Sequence, residues 1–184
     1  MIVGIDEVGR GCWAGPLVAG AVLLTKNIPG LKDSKKLTKL QREKLVTAIK
    51  ESGAHVGLGW VSPAEVDELG LTDAVRTAMD RALAQIVGEY ESVIIDGNFN
   101  FLAHMPKTSA LIKADDTVPA VSAASIVAKV ARDNYMAELS VLYPGYGFEA
   151  HVGYGTAAHL AGLQKLGVSN VHRKSFKPIR ALIQ

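Results

Sequence analysis

Asp6 and Glu7 are adjacent carboxylates at the end of an apolar run, Met1-Ile2-Val3-Gly4-Ile5, and Val8-Gly9-Arg10-Gly11 follows. The run reads as a short buried strand. A buried carboxylate is costly unless a cation or metal pairs with it, and two side by side raise the cost. Asp96, just before Gly97, ends another apolar run, and Asp115 precedes a long apolar stretch. Mg²⁺ takes oxygen ligands in near-octahedral geometry and is held by few carboxylates together with substrate phosphates. Two such ions about 3.5–4 Å apart stabilise both the attacking and the leaving oxygen of a phosphodiester displacement. Asp6, Glu7, Asp96 and Asp115 have the type and number for that chemistry. The five histidines are scattered in sequence, so a structural zinc site is not expected.

Each acid has an ordinary alternative. An Asp-Glu pair is commonly a solvated turn, and Asp96, Asp115 or Asp116 could cap a turn or helix. Adjacent residues on a regular strand also point to opposite faces, so Asp6 and Glu7 converge only if the chain bends near Gly9 or Glu7 reaches round. Gly9-Arg10-Gly11 could let backbone N–H groups approach a ligand while Arg10 grips a phosphate, or it could be a tight turn. Lys35 and Lys36 lie just before a capped helix start, where phosphate is favoured. Ser122 and Ser125 precede or open the long helix and could serve the same end or merely cap it. Tyr154, between Gly153 and Gly155, is placed to stack on a sugar or base.

Strands and helices must position these groups. Ile2–Glu7, Leu17–Leu24, residues 56–60, Ser92–Asp96 and Ala110–Lys113 read as five strands, the first three paired antiparallel. Thr38 to Gln41 and Ser62 to Glu65 fit capping boxes, the second with Pro63 at the first helical position. Thr72 is expected to cap a helix carrying Val75, Met79, Ala82 and Ile86. Pro119–Tyr143 contains a long apolar helix, and another runs from Thr156 to Gly167. The alternation gives an α/β class, in which sites gather at strand ends. Carboxylates ending different strands can therefore meet in space.

With 184 residues, 48% of them hydrophobic and 21% charged, the chain can bury one sizeable core and is not disordered. The net charge of +2 says little about partners, but its distribution says more. Lys26 to Lys50 holds eight Lys/Arg against two acids, and no acid follows Glu149 while Lys165, Arg173, Lys174, Lys177 and Arg180 do. Such clusters suit a phosphate backbone, although from charge alone ordinary solvated helix faces are the better account. The lone Cys12 forms no intrachain disulfide. No signal peptide or membrane span is evident, so a cytoplasmic protein is expected.

Several segments together resemble a known family. They are Asp6-Glu7-Val8-Gly9-Arg10-Gly11, Gly15-Pro16-Leu17-Val18, Asp33-Ser34-Lys35-Lys36-Leu37, Ile95-Asp96-Gly97, Lys113-Ala114-Asp115, Ser122 to Lys129, Arg132-Asp133, Gly153-Tyr154 and His172 to Phe176. In this order they are similar to ribonuclease HII, the type 2 ribonuclease H. Type 3 enzymes usually carry Gly-Thr-Gly where this chain has Gly-Arg-Gly.

The resemblance implies a ribonuclease H-like mixed five-stranded sheet flanked by helices, with a C-terminal helical segment, as a single domain over 1–184. It implies an endonuclease that cuts the RNA strand of RNA–DNA hybrids and incises at single ribonucleotides in duplex DNA, leaving 5′-phosphate and 3′-hydroxyl ends. By the same resemblance Asp6, Glu7, Asp96 and Asp115 hold two Mg²⁺ or Mn²⁺ ions. Gly9, Arg10 and Gly11 sense the ribose 2′-hydroxyl, and Tyr154 packs on the deoxyribose at the junction. Lys35, Ser122, Ser125 and Arg132 are expected as phosphate or support contacts. The partner is nucleic acid, no membrane is involved, and a monomer is expected. Members commonly have Lys where this chain has Val152, and Lys-Gly-Asp where it has Lys113-Ala114-Asp115-Asp116. The rivals are another two-metal nuclease of this fold acting on DNA, a non-catalytic hybrid-binding module, and a domain holding a structural cation.

Overall fold

A computed structural model describes residues 1–183. Five strands form one sheet in the order β3-β2-β1-β4-β5. These are β1 (Ile2–Val8), β2 (Leu17–Leu23), β3 (His55–Val61), β4 (Ser92–Asp96) and β5 (Thr108–Leu111). The first three pair antiparallel, β1 and β2 through a short connection and β2 and β3 through one that contains α1, and β4 and β5 join β1 in parallel. Ile5 lies opposite Ile95 in the β1–β4 ladder, so Asp6, near the end of β1, and Asp96, the last residue of β4, lie at one level. β2 is buried along its whole length, which explains why its sequence shows no apolar–polar alternation.

Helices cover both faces. They are α1 (Lys39–Glu51), α2 (Pro63–Leu69), α3 (Leu71–Leu83), α4 (Ala114–Thr117), α5 (Pro119–Leu142), α6 (Phe148–His151), α7 (Ala157–Leu166) and α8 (Lys177–Arg180). Both expected capping boxes are present, Thr38 with Gln41 and Ser62 with Glu65. Gly167 closes α7 at φ 80°.

Glycine on the strands and alanine on the helices bring backbone close to backbone. A Cβ on Gly4 would run into Ala120 and Val121 of α5, and one on Gly20 into Ala124. On the other face, a Cβ on Gly57 or Gly59 would strike the Ala82 or Ala78 carbonyl of α3. Gly59→Ala is therefore expected to lower stability by about 2–3 kcal/mol through overpacking. Its denaturant midpoint checks this, and a midpoint equal to wild type contradicts so close an approach.

Several boundaries differ from those expected. The fifth strand is Thr108–Leu111, not Ala110–Lys113; Lys107 and Lys113 take φ of 63° and 58° and bracket it, and a left-handed residue cannot continue a strand. Thr72 does not cap α3. Gly70, at φ 75°, ends α2 and directly precedes α3, so Thr72 already lies within the first turn. Ile86 lies beyond the end of α3 yet packs on the core. Ser122 and Ser125 lie inside the first two turns of α5 rather than before it.

Candidate active site

Alternation along β1 decides which way each acid points. Asp6 pairs with Gly20, whose missing side chain would face α5, so Asp6 lies on the α5 side of the sheet. Val3 and Ile5 pack with the α3 core, and Glu7 follows them onto that side. Asp6, Asp96 and Asp115 bring one ligand oxygen each within 4.8 Å of one another. Glu7 is not in that group. Its Oε1 stands 3.6 Å from Arg10 Nη1, so the expected four-acid cluster is a triad with a flanking fourth acid.

Each acid is held by its own local structure. Asp6 Oδ1 accepts the Glu7 backbone N–H at 2.8 Å. Asp96 Oδ1 accepts the Ala114 N–H at 2.8 Å and the Asp115 N–H at 3.4 Å, which ties the end of β4 to the start of α4. Asp115 is buried in α4, and its carbonyl accepts the Ser122 hydroxyl at 2.6 Å. Asp116 takes no part in the triad. Both its oxygens bind Lys36 Nζ at 2.6 Å, and that contact holds its carboxyl below the usual range. Asp115, the aspartate that the family resemblance implies, is the one in the cluster.

The electrostatics are those of a site built for cations. Burial pushes Asp6 up to about 7, with Glu7 and Asp96 adding repulsion, while a hydrogen bond with Ser125 pulls the other way. Burial also raises Glu7, against the pull of Arg10. Asp115 is raised by burial and then by Asp96 and Asp33, with Lys35 opposing. Clustered carboxylates raised by burial and mutual repulsion are a mark of functional sites. An all-oxygen donor set fits a hard divalent ion such as Mg²⁺ or Mn²⁺ and discourages zinc.

Asp6, Glu7, Gly9, Arg10, Gly11, Ser34, Lys35, Ser125, Lys129 and Tyr154 line one cleft of about 270 Å³. Asp96 and Asp115 line the adjoining hollow, and Lys35 borders both. Lys35 Nζ lies 3.8 Å from Asp115 and from Asp33. Ser125 bonds Ser34 at 2.9 Å. Gly9 sits at φ 85°, and a side chain there would strike Arg132; Gly11 has open space around its Cα. Tyr154 is 42% exposed, so its ring is available to a ligand.

Two expected contacts do not face the cleft. Arg132 is fully buried, and its guanidinium donates to the carbonyls of Pro16, Val152 and Ala14. Arg173 is buried in the same way and donates to Arg10 and Gly15. Both brace the Gly9–Pro16 segment from below. Ser122 is also buried and holds Asp115 in place. Of the phosphate or support contacts expected of Ser122 and Arg132, their burial and backbone partners favour the supporting part.

Ser34 and Lys129 were not singled out from the sequence. Lys129 lies one helical turn beyond Ser125, a spacing that signals a shared face. The histidines are not all scattered either: His151, His159 and His172 gather in the C-terminal core, with His151 and His159 stacked at 4.5 Å. Val152 occupies the left-handed region at φ 45°, and its carbonyl accepts from Arg132.

Comparison with known proteins agrees with this geometry. The family profile of ribonuclease HII matches residues 3–179. The chain belongs to the ribonuclease HII family. Over 186 residues it is 46% identical to the ribonuclease HII of Dichelobacter nodosus, covering 100% of this chain and 98% of that one. The ribonuclease H2 structure of Pyrococcus horikoshii superposes with a TM-score of 0.84 at 28% identity, covering 98% of this chain and 96% of that one. A Bst-RNase HIII structure in complex with Mn²⁺ shares the fold with a TM-score of 0.71 at 20% identity, covering 99% and 68%. The mixed sheet and flanking helices are the ribonuclease H-like fold of these relatives. As a member of the ribonuclease HII family, the chain is a metal-dependent endoribonuclease acting on nucleic acid. Among the described residues no helix is long and apolar enough to cross a membrane.

Proposed function

We propose that this chain, as one catalytic domain over residues 1–184, hydrolyses the RNA strand of RNA–DNA hybrids and incises at single ribonucleotides in duplex DNA. The products carry 5′-phosphate and 3′-hydroxyl ends. One observation carries the reading: the acid triad opens beside the glycine-flanked Arg10 and the exposed Tyr154. Asp6, Asp96 and Asp115, with Glu7 at their edge, would hold two Mg²⁺ or Mn²⁺ ions. When bound, such ions lower the pKa of an attacking water and stabilise charge on the scissile phosphate and the leaving oxygen.

The remaining tasks fall to the chain itself. Gly11, with open space where a side chain would stand, leaves its backbone open to a close approach by the substrate, Gly9 makes room for Arg132 behind the loop, and Arg10 offers a guanidinium to an adjacent phosphate. The 2′-hydroxyl distinguishes RNA from DNA, so a backbone motif in close contact with the ribose can read it. Tyr154 would lie against the following deoxyribose and hold the junction in register. Lys35 and Lys129 sit on the cleft wall, where ammonium groups neutralise backbone charge. Ser125 supports Asp6. The free, buried thiol of Cys12 accords with a reducing cytoplasm.

The test is a DNA duplex carrying one ribonucleotide, incubated with and without Mg²⁺ and with the cut mapped. Cleavage at the ribonucleotide, absent on the all-DNA duplex, supports the reading. Equal cutting of both favours a DNA nuclease, and binding without any product favours a non-catalytic module. Tyr154→Ala is expected to lower kcat/KM on the single-ribonucleotide duplex by about 10-fold or more, about 1.4 kcal/mol of transition-state stabilisation. Equal activity on that substrate removes Tyr154 from the site.

A further inference from the structure

We propose that His159, locked in one tautomer by His172, is a positioning residue for Tyr154 and so for discrimination of the RNA–DNA junction. The inference rests on the reading of Tyr154 given above.

Donor and acceptor positions determine the protons. The Ser169 backbone N–H donates to His172 Nδ1 at 3.1 Å, so that nitrogen carries no proton. The neutral His172 ring therefore carries its proton on Nε2, which faces His159 Nε2 at 3.1 Å. Two N–H groups cannot point at each other there, so His159 Nε2 accepts. His159 must then carry its proton on Nδ1, and Nδ1 donates to the Tyr154 carbonyl at 2.9 Å. The chain of bonds has one direction, from Ser169 through two imidazoles to the backbone of Tyr154.

The surroundings keep the relay neutral and rigid. His159 and His172 are buried, and burial lowers both, His172 to about 4. Trp13 packs at 5.5 Å from His159, and Phe148 meets it edge-on at 5.5 Å. A third imidazole holds the other side of the loop: His151 Nδ1 accepts the Gly153 N–H at 3.2 Å, and Nε2 donates to the Tyr146 carbonyl at 2.7 Å. Tyr154 is thus suspended between two stacked rings at its backbone, while its own ring stays exposed to the cleft. A ring on a Gly153-Tyr154-Gly155 loop would otherwise sample many orientations, and fixing it in advance removes that entropy from binding.

Two measurements test the proposal. In the wild-type protein at pH 7, ¹H–¹⁵N NMR of the imidazoles should show His159 as the Nδ1–H tautomer and His172 as the Nε2–H tautomer. The opposite tautomer at His159, or a charged ring at either position, overturns the relay. In the second measurement, the ratio of kcat/KM on a single-ribonucleotide duplex to that on a continuous hybrid is read for folded variants. His159→Phe should lower the ratio about 10-fold. His159→Asn, whose amide stands near the Nδ1 position and can still donate to Tyr154, should restore most of it. Tyr154→Ala combined with His159→Phe should fall no further than Tyr154→Ala alone. An unchanged ratio in His159→Phe alongside a reduced one in Tyr154→Ala overturns the positioning role and leaves the Tyr154 reading standing. An unchanged ratio in Tyr154→Ala overturns that reading and the positioning role with it. Equal losses in His159→Phe and His159→Asn at matched folded fraction also overturn the positioning role.

Discussion

Asp96→Asn is expected to lower kcat/KM on a single-ribonucleotide duplex by about 10³-fold or more while the protein stays folded. A loss of that size is about 4 kcal/mol of transition-state stabilisation. The asparagine has the shape of the aspartate, and its oxygen can still accept the Ala114 and Asp115 N–H groups that tie β4 to α4. The local structure therefore survives, and what disappears is one of three negative charges whose oxygens lie within 4.8 Å. Three carboxylates brought this close, two of them buried, have little reason to share this space except to hold cations. Turnover near wild type in a variant that melts normally would remove Asp96 from catalysis. Raising Mn²⁺ should restore part of the activity if weakened ion binding is the cause.

Asp6→Asn is expected to abolish cleavage and at the same time to stabilise the metal-free protein at alkaline pH. The folded protein holds the Asp6 carboxyl at about 7 against an ordinary 3.8. Below about pH 4 the group is protonated whether the chain is folded or not. As pH rises from there through 7, the unfolded chain releases a proton that the folded chain retains, so the Asp6 contribution falls and then levels off. His172 acts in the opposite sense over part of this window, because its lowered value penalises the folded state as pH falls from 6.5 toward 4. The difference between wild type and Asp6→Asn isolates Asp6 from that effect. A shift of this size sets a ceiling of about 4 kcal/mol. Water penetration and sharing of the proton with Glu7 reduce the expected gain to about 1–3 kcal/mol at pH 8, falling toward zero at pH 4. Denaturant titrations in the presence of a chelator read this directly, and a difference independent of pH contradicts the electrostatic account. Mg²⁺ or Mn²⁺ should recover stability in wild type at pH 8 and do so less in Asp6→Asn, since binding to the folded state alone is stabilising.

The acids were legible because Asp6, Glu7 and Asp96 lie at or near the ends of apolar strands and Asp115 just before a long apolar helix, placements that run against the cost of burying charge. The capping boxes at Thr38 and Ser62 were legible because they are local: four consecutive residues contain both donors and acceptors. The fifth strand was misplaced by two residues because its ends depend on left-handed backbone at Lys107 and Lys113, positions where lysine gives no local warning. The departure of Glu7 from the triad follows from strand alternation, a conflict visible in the sequence but not resolvable there. Arg132 was named from the resemblance as a phosphate or support contact, and the sequence could not choose because its three backbone acceptors come from residues 14, 16 and 152.

From its residues alone the chain disclosed an α/β class, the acids that matter, the glycine-flanked arginine and the exposed loop tyrosine, because those signals reside in residue type and short spacing. Tertiary structure decided the rest. The pairing of Asp116 with Lys36, the burial of Arg132 and Arg173, and the gathering of His151, His159 and His172 all depend on groups far apart in the chain. Long-range packing sets those contacts, and no local pattern encodes which distant carbonyl, ammonium or ring will occupy the space beside a given side chain.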